Sequence, residues 1–157
     1  MTARQDLKLT VILSQFLHKV IILDRNEKAC QGITLSQHYT LDALKRKKTL
    51  TMNELSHELS LAMSTLTRVV DILVRDKYVK RVPHKDDRRK VCVTLTEKGM
   101  KKARKLTDCT RYFWTSILKS IPDQEKKSMI NHIKLLIQAM DDMDGHCIHK
   151  PGELSDS

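Results

Sequence analysis

Thr51-Met-Asn-Glu-Leu-Ser-His-Glu-Leu-Ser60-Leu-Ala-Met-Ser-Thr-Leu-Thr-Arg-Val-Val70 reads as two helices with a turn between them. The Thr51 hydroxyl can accept the free N–H of Glu54, and the Glu54 carboxylate can reach back to the Thr51 N–H, so the stretch opens on a capping box. A short helix follows over residues 53–59, with Leu55 and Leu59 inward. After a tight turn at Ser60-Leu61-Ala62, a helix beginning near Met63 carries Leu66, Val69, Val70 and Leu73 on its inner face, at three- and four-residue steps. Two short helices so spaced read as a helix-turn-helix.

Downstream the period changes. Tyr78-Val-Lys-Arg-Val82 and Val91-Cys-Val-Thr-Leu-Thr96 are β-branched runs, the second placing Val91, Val93 and Leu95 on one face. The polar stretch Pro83-His-Lys-Asp-Asp-Arg-Arg-Lys90 between them makes a hairpin with a long basic tip, a wing. Thr96 caps a helix running to about Ser120, with Ala103, Leu106, Cys109, Phe113, Ile117 and Ile121 as its buried stripe. Pro122 then starts a last helix, whose apolar face is Met129, Ile133, Leu136, Ile137, Met140 and Met143. Upstream, Thr34-Leu-Ser-Gln opens a helix to about Lys47. Before it, Leu9, Ile12, Leu13, Phe16, Val20 and Leu23 stripe a long helix over residues 7–30. Val11, Leu17, Ile21 and Ile22 widen that stripe beyond what a surface helix needs, so a partner subunit is a natural cover.

The fold class expected is therefore mainly α with a small β-wing: a winged helix-turn-helix domain plus helical dimerisation arms. Residues 1–33 form an N-terminal dimerisation helix, 34–98 the winged helix-turn-helix, 99–144 the C-terminal dimerisation helices, and 145–157 a mobile tail without periodicity.

Charge narrows the partner. The chain of 157 residues carries a formal net charge of +10, and residues 77–105 hold 12 Lys/Arg against three acids, or +9. Such clustering is the footprint of a polyanion. An acidic membrane suits the stretch less well, because it reads as a hairpin and not as an amphipathic helix. No apolar run reaches the roughly 18 residues of a membrane span, and Met1-Thr-Ala-Arg-Gln-Asp lacks the plan of a secretory signal. The expectation is a cytoplasmic protein with no membrane partner.

Thr34-Leu-Ser-Gln, Leu50-Thr51 with Glu54-Leu55, Ser64-Thr-Leu-Thr-Arg68, and Asp87-Arg-Arg followed by Val93-Thr-Leu-Thr-Glu-Lys-Gly99 together resemble the MarR family of bacterial transcription regulators. The resemblance covers roughly residues 9–143, and its most specific element is Asp87-Arg-Arg with Leu95-Thr-x-Lys-Gly99. It implies a homodimer whose first and last two helices intertwine and whose two winged helices bind a palindromic operator. The chain departs from the family pattern in two places. Ala62 and Met63 stand where a polar cap and a proline are usual, and Lys77 where glycine is favoured.

A helix fits the major groove of double-stranded DNA, and its outward N-terminal residues reach base edges. That assigns Met63, Ser64, Thr65, Thr67 and Arg68 to recognition, with Arg68 able to pair bidentately with guanine. Capping is the alternative role for Ser64 and Thr65. Asp71 reads as orienting a neighbouring basic residue. At the wing, Asp87 two residues from Arg89 can hold the guanidinium in one orientation, and an oriented arginine at a hairpin tip suits a narrow minor groove. The resemblance implies that same use. His84, Lys85, Arg88 and Lys90 fall to phosphates, while Ser36, Gln37, Thr51 and Asn53 near helix starts fix the backbone register.

The resemblance also implies a small-molecule effector in the cleft between dimer arm and winged helix, where His18, Ile22, His38, Tyr39 and Asp42 are candidate neighbours. Of the cysteines, Cys92 and Cys109 read as buried, leaving Cys30 and Cys147 for redox sensing. A metal-responsive variant would recruit Cys30, His38 and His18, or His146, Cys147 and His149. No cofactor is called for, and no motif of a hydrolase, P-loop, zinc protease or dinucleotide enzyme is present, so no catalytic residue is assigned. A nonspecific, architectural DNA binder shares the basic wing and stays open as the alternative.

Overall fold

The computed structural model describes residues 3–84, 87 and 90–142. Along the chain run α1 (Ala3–Cys30), α2 (Leu35–Lys47), β1 (Thr49–Thr51), α3 (Met52–Leu59), α4 (Met63–Arg75), β2 (Val79–Pro83), β3 (Val91–Leu95), α5 (Glu97–Leu118) and α6 (Asp123–Asp142). They fall into two compact units, divided after Tyr112. This is the mainly helical fold with a small antiparallel sheet that the sequence predicts.

Local chemistry explains where the helices start. Thr34 caps α2 through a full capping box: its N–H donates to Gln37 Oε1 at 2.9 Å, and the Gln37 N–H donates to Thr34 Oγ1 at 3.3 Å. Thr51 does the same for α3 with Glu54, at 2.7 and 3.2 Å. At α5, Thr96 Oγ1 accepts the Gly99 N–H at 3.0 Å. The Pro122 carbonyl accepts the Glu125 and Lys126 N–H groups at the start of α6.

In the first unit β3 is the central strand, antiparallel to both neighbours in the order β1-β3-β2. Leu50 pairs with Val93 on one side, and Val79 with Leu95 and Arg81 with Val93 on the other. Nothing in the sequence signals β1, because three residues carry no period and their partner lies far along the chain. Burial on β3 is not confined to the face shared by Val91, Val93 and Leu95. Val93 and Cys92 are both buried, since the central strand is covered on both faces there, while Val91 at the wing end is 45% exposed. Leu41, Leu44, Leu55, Leu66, Val70, Leu73, Val79 and Leu106 complete the core. The stripe of α5 leaves this core after Leu106, so Cys109 is half-buried instead of buried.

The 28 residues of α1 bury little apolar surface. Ile12, Phe16, Leu17 and Ile21 are each more than half exposed. Only its C-terminal end is anchored, by the fully buried Lys28 and by Ile33 after the turn at Gly32 (φ 66°). In the second unit α6 buries none of its residues, and Ile133, Leu136 and Met140 stand exposed. Met143 lies outside the described residues.

Candidate nucleic-acid interface

The turn between α3 and α4 is built on Ser60, left-handed at φ 48°, with the Ser56 hydroxyl donating to the Leu61 carbonyl at 2.6 Å. Beyond it, Ala62 occupies the N-cap of α4 and supplies no side-chain hydrogen bond. Neither Ser64 nor Thr65 replaces the missing cap, so the capping alternative for these two residues is not realised. Losing a polar cap costs a helix about 1 kcal/mol. With Leu66, Val69, Val70 and Leu73 in the core, Met63, Ser64, Thr65, Thr67 and Arg68 all face outward. The Thr67 hydroxyl donates back to the Met63 carbonyl at 2.8 Å. Arg68 makes no ion pair among the described residues.

At its other end α4 closes in a Schellman arrangement. The Lys77 N–H donates to the Val74 carbonyl at 2.9 Å and the Tyr78 N–H to the Leu73 carbonyl at 2.8 Å. Lys77 is the left-handed residue, at φ 62°, so a lysine stands where the backbone suits glycine. The Tyr78 carbonyl then receives the Thr96 N–H at 3.0 Å, while the Thr96 hydroxyl donates to the Lys77 carbonyl at 2.7 Å. Gly99 packs so closely on the Tyr78 carbonyl that a Cβ would lie 1.8 Å from its oxygen. Helix α4, the wing and α5 therefore meet around Tyr78. Lys98 adds its ammonium to the Asp76 carbonyl at 2.9 Å and lies over the Tyr78 ring at 4.7 Å.

The Asp71 carboxylate does orient a neighbouring base: Arg81 Nη2 donates to Asp71 Oδ1 at 2.6 Å, joining α4 to β2. The sequence places Arg81 among the basic residues without singling it out. Its signal is register, since it follows Val79 by two residues on the core-facing side of an edge strand. At the wing base the His84 N–H donates to the Lys90 carbonyl at 3.0 Å, and the Lys90 N–H to the Asp87 carbonyl at 2.9 Å. Lys85, Arg88 and Arg89 lie outside the described residues, and with them the expected Asp87–Arg89 pair. A cleft of about 510 Å³ opens beside the wing base, lined by Thr51, Met52, Asn53, Glu54, His84, Lys90 and Val91. The Thr51 N–H and hydroxyl hold the Glu54 carboxyl below the usual carboxylate range, with a smaller contribution from His84.

Of the residues expected to set the DNA register, Asn53 is exposed and Thr51 and Ser36 are half-buried. Gln37 is corrected. It is only 9% exposed and its carbonyl oxygen is engaged by the Thr34 N–H, so it serves the cap.

The residues expected around an effector cleft come together in part. The His38 and Tyr39 rings lie 5.3 Å apart, and the Tyr39 hydroxyl donates to Asp24 Oδ2 at 2.9 Å. Asp42 pairs with Arg46 at 3.2 Å and with Lys45 at 3.4 Å. His18 is exposed, and no hydrogen bond or ion pair among the described residues joins it or Ile22 to this group. The buried Lys28 ammonium is missed by sequence reasoning. It bonds Glu27, Thr110 Oγ1 at 2.5 Å and Asp24 at 3.3 Å. Burial, then the Lys28 charge, lower the His38 pKa from its ordinary 6.5. Burial, then Asp24, push the Tyr39 phenol up to about 12. Cys30, His38 and His18 are not gathered as a metal site would need, and no metal-holding group of His, Cys, Asp or Glu occurs among the described residues. His146, Cys147 and His149 lie outside them. No described helix is long and apolar enough to cross a membrane.

Comparison with known proteins agrees with this geometry. A profile of the MarR family matches residues 31–90. The chain is similar to the HTH-type transcriptional regulator PrsX of Escherichia coli, 30% identical over 116 residues that cover 71% of this chain and 69% of PrsX. Among solved structures, a MarR family protein from Bacillus stearothermophilus superposes with a TM-score of 0.80 at 27% identity, covering 90% of this chain and 99% of that one. Streptococcus pneumoniae FabT, solved in complex with DNA, shares the fold with a TM-score of 0.73 at 23% identity, covering 87% of this chain and 97% of its own.

Proposed function

The chain belongs to the MarR family of winged helix-turn-helix transcription regulators, DNA-binding proteins and not enzymes, and from that premise we propose that it is a homodimeric repressor of a palindromic operator, released by a small-molecule effector. The carrying observation is that Ser64, Thr65 and Arg68 on the outward row of α4 make no side-chain hydrogen bond or ion pair among the described residues, in a chain whose residues 77–105 carry +9 of charge. In this reading Met63, Ser64, Thr65, Thr67 and Arg68 enter the major groove, and Arg89 enters the neighbouring minor groove with Asp87 as its orienting carboxylate. His84, Lys85, Arg88 and Lys90 neutralise phosphates, and Ser36, Thr51 and Asn53 set the register.

The exposed stripes of α1 and α6 support the homodimer. Apolar rows of this length on separate helices are stable in water when a second copy covers them. For the effector, the supporting feature is the polar group of His38, Tyr39 and Asp42 close to Asp24 and the buried Lys28, with Ile22 and His18 farther along α1. FabT in complex with DNA supports the DNA partner by likeness of fold.

Selection of bound fragments from genomic DNA, with the mass of the protein–DNA complex measured alongside, tests the reading. The expected outcome is enrichment of one palindrome bound by two protomers. Broad enrichment with no preferred sequence refutes the regulator and leaves an architectural DNA binder.

A further inference from the structure

The Asp71–Arg81 pair is not accounted for by base reading or by the wing tip. Asp71 lies on the outward row of α4, one turn beyond Arg68, and its side chain is 54% exposed. A bare carboxylate there would repel any phosphate brought to this face. Arg81 comes from β2, opposite Val93 and two residues past the buried Val79. Its backbone is thus fixed by the sheet while its guanidinium emerges at the rim between α4 and the wing. One nitrogen, Nη2, holds Asp71 at 2.6 Å. The pairing fixes the plane of the guanidinium and leaves its other edge to the outside, 39% of the side chain being exposed.

Position decides what that edge meets. The major groove and the minor groove next to it are separated by a single sugar–phosphate strand. An element joining a helix in one groove to a hairpin in the other must lie over that strand, and β2 is the element that joins α4 to the wing. We infer that Arg81, oriented by Asp71, clamps the phosphate strand between the two grooves. The inference rests on the groove assignments proposed above. Arg81 is then a phosphate-binding residue and Asp71 a positioning residue that acts through it.

Salt-dependent titrations by fluorescence anisotropy test this, on the selected palindrome and on a random-sequence duplex of equal length. For Arg81→Ala the affinity falls roughly tenfold on both duplexes, and the slope of log K against log salt shrinks by roughly 0.9 for each protomer bound. Arg81→Lys retains the wild-type slope. Asp71→Asn in the Arg81→Ala background recovers affinity, because it removes a carboxylate left bare beside phosphates. With Arg81 in place the same substitution gains nothing, because the repulsion it relieves is offset by a guanidinium no longer held. Both side chains are more than a third exposed, so neither change opens the core.

An unchanged slope in Arg81→Ala overturns the clamp, and so does a loss confined to the palindrome, which would make Arg81 a base reader. Equal gains from Asp71→Asn in both backgrounds overturn the positioning role. The random duplex separates this proposal from its parent. A protein that selects no palindrome yet loses slope with Arg81→Ala keeps the clamp and loses the regulator reading. A palindrome reader indifferent to Arg81 does the opposite.

Discussion

Replacing Gly99 by alanine strikes the point where α4, the wing and α5 meet. An added Cβ would lie 1.8 Å from the Tyr78 carbonyl oxygen and 2.8 Å from its carbon. A relaxed carbon-to-oxygen contact needs about 3.3 Å, so strand and helix must part by roughly 1.5 Å. Both atoms are backbone, and no flexible side chain can swing aside. Overpacking of this kind costs about 1–3 kcal/mol. The displaced carbonyl also loses the Thr96 N–H at 3.0 Å, worth about 1 kcal/mol. Alanine returns about 1 kcal/mol of helix propensity. The net expectation is a loss of about 1–3 kcal/mol, which lowers the melting temperature by about 6 °C for a chain of this size. Urea and thermal unfolding at matched protomer concentration measure it, matching being needed because association shifts apparent stability. A Gly99→Ala protein as stable as the parent, or more so, would refute the close approach of α5 to β2.

Lys77→Gly relieves the left-handed strain at φ 62° and is expected to stabilise the fold by about 1 kcal/mol; a rise in the urea midpoint at constant m-value checks it. The buried His38 has a lowered folded pKa, so the unfolded chain binds the proton first, and its contribution to stability, complete above pH 6.5, is lost as pH falls below 6.5. His38→Gln should flatten that acid slope of the unfolding midpoint. The Tyr39 phenol, raised to about 12, acts at the other end: its contribution is complete below pH 10 and is lost as pH rises from there towards 12. Arg68→Ala should narrow the gap between specific and random DNA by roughly 1–3 kcal/mol, whereas Arg89→Ala should weaken operator binding in a dimer that still unfolds like the parent; competition titrations with equal loss on both DNAs would return Arg68 to the phosphates, and unchanged affinity would remove Arg89 from the interface.

The legible parts of this fold are those written in local chemistry. Thr34, Thr51 and Thr96 announce helix starts because a cap needs only residues three apart, and Leu66, Val69, Val70 and Leu73 announce a buried face because its period is internal to α4. The costs of Ala62 and Lys77 are legible for the same reason. What escapes the sequence depends on distant partners. β1 exists only by pairing with β3. Lys28 looks like a solvated residue at a helix end until Thr110, 82 residues away, is brought to it. Gln37 is the exception: it has the chemistry of a phosphate contact, but Thr34-x-x-Gln37 carries the same capping-box spacing as Thr51-x-x-Glu54, so its use by the cap is legible locally. Gly99 can be read as part of a family pattern, whereas its physical reason, the neighbouring Tyr78 carbonyl, requires the β2–α5 junction.

The wing's ladder runs unbroken to the pair Pro83↔Val91, and the His84 N–H to the Lys90 carbonyl ties it off. Because Cys92 and Val93 are buried on opposite faces of the central strand, a one-residue slip would drive the wrong side chains into the core. The sheet's register is therefore held by the paired strands themselves and by the His84–Lys90 bond. Charge between His84 and Lys90 can therefore change by substitution without touching the paired strands, and so independently of the outward residues of α4.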